Sequence, residues 1–211
     1  MKYFSQSKQD KWVLENLLYK TNGVFVDIGA YDGIQTSNTY CLEKYYNWSG
    51  LCIEANYSVY QNLIKNRNCI NIYGAISDNN GECYFSSDKI TKQGIKTPCF
   101  ILNDVLEKNL KDDTIDYLSL DVEGHEFTIL NTIDFNKWKF KLMTIEHNLY
   151  CSGSEQKNKI FDLLTSKGYT RVVENAVCLD SNPEWNNKPY EDWYINSNFI
   201  EGNKIWIQSE I

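Results

Sequence analysis

Residues Val24-Phe25-Val26-Asp27-Ile28-Gly29-Ala30-Tyr31-Asp32-Gly33 restrict the fold more than any other stretch of the chain. Residues 24–28, interrupted only by Asp27, are apolar and rich in β-branched and aromatic side chains, the mark of a short buried strand. Gly29 and Gly33 bracket a turn, and a helix-like stretch begins soon after. A strand that runs through a glycine turn into a helix opens a nucleotide-type α/β fold, where glycine lets backbone approach a ligand closely. The turn is not of the dinucleotide type, Gly-x-Gly-x-x-Gly, which leaves a helix N-terminus free for a pyrophosphate. The middle glycine is missing, and Asp27 and Asp32 stand in or beside the turn. Carboxylates repel a pyrophosphate and suit a ligand with an amine and a second positive centre. An ordinary tight turn with solvated acids is the alternative.

The remaining chain keeps alternating between the two periods. Ser7-Lys8-Gln9-Asp10 fits a capping box ahead of a helix face at Trp12, Val13, Leu17 and Leu18. The other reading folds Gln9 and Asp10 over a cofactor pocket. Ser37 can cap a helix over residues 38–46. Residues 51–54 form a strand ending in Glu54, 59–66 a helix, and 70–76 a third strand followed by Ser77-Asp78. Residues 83–85 offer an edge strand, 88–96 read as a loop, and 100–110 repeat at helical spacing. A fourth strand at 115–121 runs into Val122-Glu123-Gly124-His125-Glu126 and a helix. A fifth, at 142–145, ends in Glu146-His147-Asn148. Another helix covers 160–164, and residues 169–173 and 205–207 can supply the last two strands. The segment 183–198 is rich in Trp, Tyr, Asn and acids. It reads either as a cover packed on the core or, through Trp185, Tyr190 and Trp193, as a surface for a sugar.

Strands alternating with helices argue for a mainly parallel sheet, and such sheets hold ligands outside the carboxyl ends of their strands. Asp27, Glu54, Asp121 and Glu146 each end a strand, and Asp78 follows the third. Acids inside a core are costly unless paired, so their collection at one rim points to a site. S-adenosylmethionine, with an ammonium and a sulfonium, suits that rim. Glu54 lies about 21 residues beyond Gly33, where an acid bonds ribose hydroxyls in βαβ nucleotide folds; a polar strand end is the alternative.

Several spaced motifs, in order, resemble the FkbM-type S-adenosylmethionine-dependent methyltransferases. They are Ser5-Gln6-x-x-Gln9-Asp10, Phe25-Val26-Asp27-Ile28-Gly29-Ala30-x-Asp32-Gly33, Ser37-Asn38-Thr39, Ile53-Glu54, Ser77-Asp78 and Ile115 through Glu126. The resemblance covers residues 5–150. It implies a Rossmann-like class I methyltransferase, with a seven-stranded, mostly parallel sheet, an antiparallel last strand and helices on both faces. It implies methyl transfer to oxygen, often a sugar hydroxyl on a glycan or glycoconjugate. Gly29, Ala30 and Gly33 would line the methionine end of the cofactor, Glu54 would hold the ribose, and Ser77 and Asp78 would lie by the adenine. The remaining matched positions, Gln9, Asp10, Asp27, Asp32, Ser37, Asn38, Thr39 and Asp121, complete the expected cofactor set.

A sugar hydroxyl is a poor nucleophile until its proton is leaving, so a general base or a bound cation is expected. His125 is a natural base near neutral pH, with Glu123 as the other candidate and Asp121 beside them. Asp121 and Glu146, with His147, could hold magnesium or manganese. The alternative is that Glu123 and Glu126 merely favour a helix N-terminus. The acceptor could also be a lipid, a peptide or a small molecule. A non-catalytic cofactor-binding module is the reading from another class.

The 211 residues suit one α/β domain, with residues 5–150 as cofactor and catalytic core and 151–211 as C-terminal strands and acceptor loop. A formal net charge of −7 argues against a nucleic-acid partner. No stretch reaches the roughly 18–20 apolar residues of a membrane span. No secretion signal is visible, so a cytoplasmic protein is expected. Seven cysteines, an odd number with no Cys-x-x-Cys, read as free thiols rather than disulfides or a zinc site.

Overall fold

A computed structural model describes residues 2–86, 88–179 and 186–200. In chain order the first half comprises α1 (Gln9–Asn16), β1 (Val24–Ile28), α2 (Tyr40–Tyr46), β2 (Ser49–Glu54), α3 (Tyr57–Asn66), β3 (Ile70–Tyr73), β4 (Ala75–Ser77), β5 (Gly81–Ser86), β6 (Lys89–Thr91) and β7 (Ile95–Ile101). The second half comprises α4 (Leu102–Asn109), β8 (Thr114–Leu120), α5 (Glu126–Thr132), β9 (Lys139–Glu146), α6 (Leu149–Ser152), α7 (Ser154–Ser166), β10 (Tyr169–Val177), β11 (Pro189–Asn196) and α8 (Ser197–Ile200).

Seven strands form the main sheet in the order β10-β11-β9-β8-β1-β2-β3. All neighbours are parallel except β11, which runs antiparallel between β9 and β10. Strand periodicity decides what covers each face, because successive side chains point to opposite sides. Val26, Leu51, Ile53, Leu118 and Met143 face one core with α4, α5 and α7, through Leu106, Ile129 and Leu164. Phe25, Cys52, Tyr117 and Leu142 face the other, with α1, α2 and α3, through Trp12, Leu42 and Leu63. Burial of both faces explains why these strands read as near-continuous apolar runs.

A second sheet, β4-β7-β5-β6, is built from the segment between β3 and α4. Its strands correct two expectations. The third strand does not run through to residue 76. It breaks at Gly74, whose φ of +150° lets the chain turn out of the main sheet, and a Cβ there would stand 2.5 Å from the Phe100 ring. The supposed loop at 88–96 contains β6 and the start of β7, and Phe100 belongs to β7 rather than to the helix, which begins at Leu102.

Two further expectations change. No side-chain cap forms at α1: Lys8 occupies the N-cap position at φ 66°. Asp10 instead accepts from the Phe4 N–H and the Ser5 hydroxyl. Within the Trp- and Tyr-rich segment, residues 189–196 are strand β11, whose Tyr190, Trp193 and Tyr194 are buried, so the aromatics pack on the core as part of the sheet; the strand expected at 205–207 lies outside the described residues. All seven cysteines are free thiols. No described helix is long and apolar enough to cross a membrane.

Candidate functional site

From β1 the chain steps across the sheet to β2 and β3, and from β8 it steps the opposite way to β9. The crevice at such a switch point, outside the carboxyl ends, is where open α/β sheets bind ligands. Gly29 sets how close its two sides come. It has φ +87°, and a Cβ would lie 1.8 Å from the Asp121 carbonyl oxygen. The Gly29 and Ala30 N–H groups donate to the Ile53 carbonyl, and the Asp121 N–H donates to the Ile28 carbonyl, so the ends of β1, β2 and β8 are tied together.

A cavity of about 690 Å³ opens there. Asp27, Glu54, Asp121 and Glu146 all border it, joined by Glu123 and His125. Glu54 is oriented by two backbone donors, Tyr31 N–H at 3.0 Å and Asn56 N–H at 2.6 Å. Asp27 accepts from the Thr39 hydroxyl at 2.6 Å, and Asn38 donates to Ser119. Ser37 accepts from the Thr39 and Tyr40 N–H groups. The Ser37-Asn38-Thr39 stretch therefore pins the start of α2 to β1 and β8; Ser37 and Asn38 reach the cavity wall and Thr39 does not.

The turn after β8 is held in an uncommon conformation. Glu123 has φ +57°, and its N–H donates to Glu146 Oε2 at 3.1 Å. Glu126 clasps the turn from below, accepting from the Val122 and Gly124 N–H groups and from Gln156. Glu126 is thus a structural acid. Burial pushes the Asp121 carboxyl up to about 7, and Glu123, Glu126 and Asp27 add to the rise. Glu146 and Glu123 are raised as well, first by burial, then by the Asp121 charge for Glu146 and the Asp88 charge for Glu123. Crowded carboxylates in a low-dielectric crevice favour any cation that enters. Carboxylate oxygens of Asp121, Glu123 and Glu146 lie within 4.8 Å of one another.

His125 borders the cavity and shares a 2.8 Å hydrogen bond, through Nε2, with the Ser77 hydroxyl. Burial lowers its pKa, against the nearby Asp78 and Glu126 charges, so the ring is biased toward the neutral form that accepts a proton. Ser77 and Asp78 themselves do not line the cavity; the wall by β4 is Gly74, Ala75 and Ile76.

Other expected residues lie elsewhere. His147 is 1% exposed, with Nε2 on Asp192 at 3.2 Å and Nδ1 accepting from the Leu149 N–H, and it does not line the cavity. Glu123, not His147, clusters with Asp121 and Glu146. Gln9 and Asp10 do not reach the cavity. Gln9 donates to the Tyr190 hydroxyl and Glu191, while Gln6, three residues earlier, forms wall. Asp32 caps the turn by accepting from Ile34 and Gln35, and Gly33 packs on Arg67 and Leu63. Tyr190 lines the cavity, but the Trp193 ring is 2% exposed and packed on Trp12, with no face open to a sugar. Trp185 lies outside the described residues.

Sequence reasoning missed Arg67, Ser119 and strand β6. Arg67 is buried and reaches Glu43, Gly33, Ser37 and Thr39, bracing the glycine turn from behind. Its rarity was a signal, since the chain has only two arginines.

The family model described as the methyltransferase FkbM domain matches residues 27–171. Among solved structures, the chain is similar to methyltransferase FkbM from Methylobacillus flagellatus, with TM-score 0.53 and 14% identity over 83% of this chain and 43% of that one. It is also similar to an O-methyltransferase from Bacillus cereus in complex with SAH, with TM-score 0.55 and 9% identity over 92% and 82% of the two chains. Aeropyrum pernix fibrillarin, with natively bound S-adenosyl-L-methionine, gives TM-score 0.50 and 14% identity over 83% and 67%. These likenesses establish the Rossmann-like class I methyltransferase fold. No curated protein sequence matches.

Proposed function

Because the chain belongs to the FkbM methyltransferase domain family, we propose that it is an S-adenosylmethionine-dependent O-methyltransferase acting on a sugar hydroxyl. One observation carries this reading: unneutralised carboxylates and a neutral-leaning imidazole converge on a single crevice at the switch point of the sheet.

The residues present fit the methyl donor. Glu54, its oxygens aimed by the Tyr31 and Asn56 N–H groups, is suited to ribose hydroxyls. Asp27, Asp121 and Glu146, all raised by burial, are relieved by a cationic ligand. S-adenosylmethionine supplies a methyl group already activated on a positive sulfur. What is left to the protein is alignment of the acceptor oxygen and removal of its proton. His125, steadied by Ser77, takes the proton in this reading, with Glu123 as its neighbour at the strained turn.

A divalent ion also fits. Asp121, Glu123 and Glu146 supply oxygen donors of the kind magnesium or manganese prefers. Asn148, whose Nδ2 donates to Glu123, has a buried Oδ1 without a partner among the described residues. The ion would lower the pKa of a bound hydroxyl.

The test is transfer of labelled methyl from S-adenosylmethionine to unmethylated glycosides, before and after EDTA. The reading expects label on a sugar oxygen, lost with EDTA and restored by magnesium or manganese. Full activity after exhaustive chelation removes the metal. Donor binding with no transfer to any glycoside removes the sugar.

A further inference from the structure

The second sheet brings something to the cavity that the cofactor reading does not use. Phe85 on β5 and Ile90 on β6 are directly opposite each other in the antiparallel ladder, so they share one face of the hairpin. Both border the cavity, as does Asp88 between them. Neither Phe85 nor Ile90 belongs to the two hydrophobic cores, and neither is fully buried. An apolar cross-strand pair that packs on no core is available to a ligand.

The hairpin is fixed in place rather than hung loosely. Its other edge pairs β5 with β7 from Gly81–Cys99 to Phe85–Ile95. Gly94 folds back so tightly that a Cβ would lie 2.3 Å from the Phe85 carbonyl oxygen. Asp88 lines the same cavity as Glu123 and His125. Tyr150, from α6, stands on the same cavity wall as Glu123 and feels its charge.

We propose that the β5–β6 hairpin is the acceptor-binding wall, with Phe85 and Ile90 forming a platform for one face of a neutral pyranose ring and Asp88 accepting from its hydroxyls. This rests on the sugar-methyltransferase reading above. The chemistry selects the class. A pyranose has an apolar C–H face for an aromatic ring and a hydroxyl edge for carboxylates. Asp88 and Glu123 border the cavity while Lys89 does not, so the lining here disfavours a phosphate or uronate, since like charges repel at close range. Among the described residues Lys188 is the one lysine or arginine in the lining, and its carbonyl accepts from the Cys178 N–H. Acceptor choice thus moves from the C-terminal segment to Phe85, Asp88 and Ile90.

The experiment compares wild type with Phe85→Ala, Ile90→Ala and Asp88→Asn. Calorimetry with S-adenosylhomocysteine reads the cofactor subsite. Labelled methyl transfer to neutral methyl glycosides, and to the matching methyl uronides, reads the acceptor. Expected are an S-adenosylhomocysteine Kd within twofold of wild type in all three variants and a glycoside KM raised at least fivefold in Phe85→Ala and Ile90→Ala. Asp88→Asn should narrow the preference for neutral glycosides over uronides. A tenfold weaker S-adenosylhomocysteine Kd in Phe85→Ala, with normal thermal unfolding, makes the hairpin a cofactor wall and overturns the proposal. So does an unchanged glycoside KM. Uronides favoured by wild type overturn the neutral class. A wild type that binds S-adenosylhomocysteine yet methylates no glycoside fails the sugar reading itself, and the pyranose platform falls with it.

Discussion

Single residues show two kinds of constraint at this site. Gly29 is required by the chain and not only by the ligand, since its left-handed φ and the Asp121 carbonyl both exclude a side chain. Gly29→Ala should lose about 3–4 kcal/mol of stability, read by denaturant unfolding; an unchanged midpoint contradicts the close approach of β1 and β8. Glu191 is the second case. It is buried under Gln9 and Trp193, and burial pushes its carboxyl up to about 8 against those hydrogen bonds. With a folded pKa above the unfolded one, the native state binds the extra proton. The stability this contributes is full below about pH 4 and is lost as pH rises through about 8. Glu191→Gln should remove that alkaline fall, checked by melting temperature between pH 6 and 9. Strand-end acids were legible because a charge that interrupts an apolar run has few explanations. The partners of Ser77, Gln9 and His147 were not legible, because each bonds a residue at least 45 positions away, and local pattern carries no record of that.

At the scale of elements, the strands of the main sheet were readable from apolar runs and the helices from spacing and turn signals. Of the hairpin β5–β6, residues 83–85 were legible as an edge strand but β6 was read as loop, for a physical reason. One of its faces meets solvent and the other meets a ligand cavity, so no core imposes a two-residue apolar period on it. β11 was obscured differently: its Glu191 and Asp192 are buried by pairing with Gln9, Trp193, His147 and Arg171, and buried acids disguise a core strand as surface. The start of α2 depends on Arg67, which joins Glu43 to the glycine turn and to Thr39. Arg67→Met breaks a buried pair and strands Glu43. It should cost about 3 kcal/mol and weaken donor binding severalfold by loosening the turn, as measured by unfolding and calorimetry. Stability lost with donor affinity intact would separate the clamp from the site.

Across the whole molecule, charge is sorted by end of the sheet. At the start of β8, Asp116 is gripped by Lys20, Lys141 and the Val24 N–H. Burial alone would raise its carboxyl, but the two ammonium groups and the N–H hold it below the usual range. The stability it contributes is present above the unfolded value, about pH 4, and lost as pH falls through the lower folded value. Asp116→Asn should therefore cost about 2 kcal/mol at pH 7, with the gap closing toward pH 3 and donor affinity unchanged. At the opposite, carboxyl end, Asp27, Glu54, Asp121, Glu123 and Glu146 have no lysine or arginine ion pair among the described residues. One rim holds its acid with ammonium groups, and the other leaves its acids without a lysine or arginine ion pair among the described residues. Calorimetric titration of S-adenosylmethionine into wild type, Glu54→Gln and Asp121→Asn tests that division most directly. The account predicts saturable one-to-one binding to wild type, at least tenfold weaker in Glu54→Gln and fivefold weaker in Asp121→Asn, with all three proteins folded. No binding to wild type, or equal affinity in all three, contradicts it.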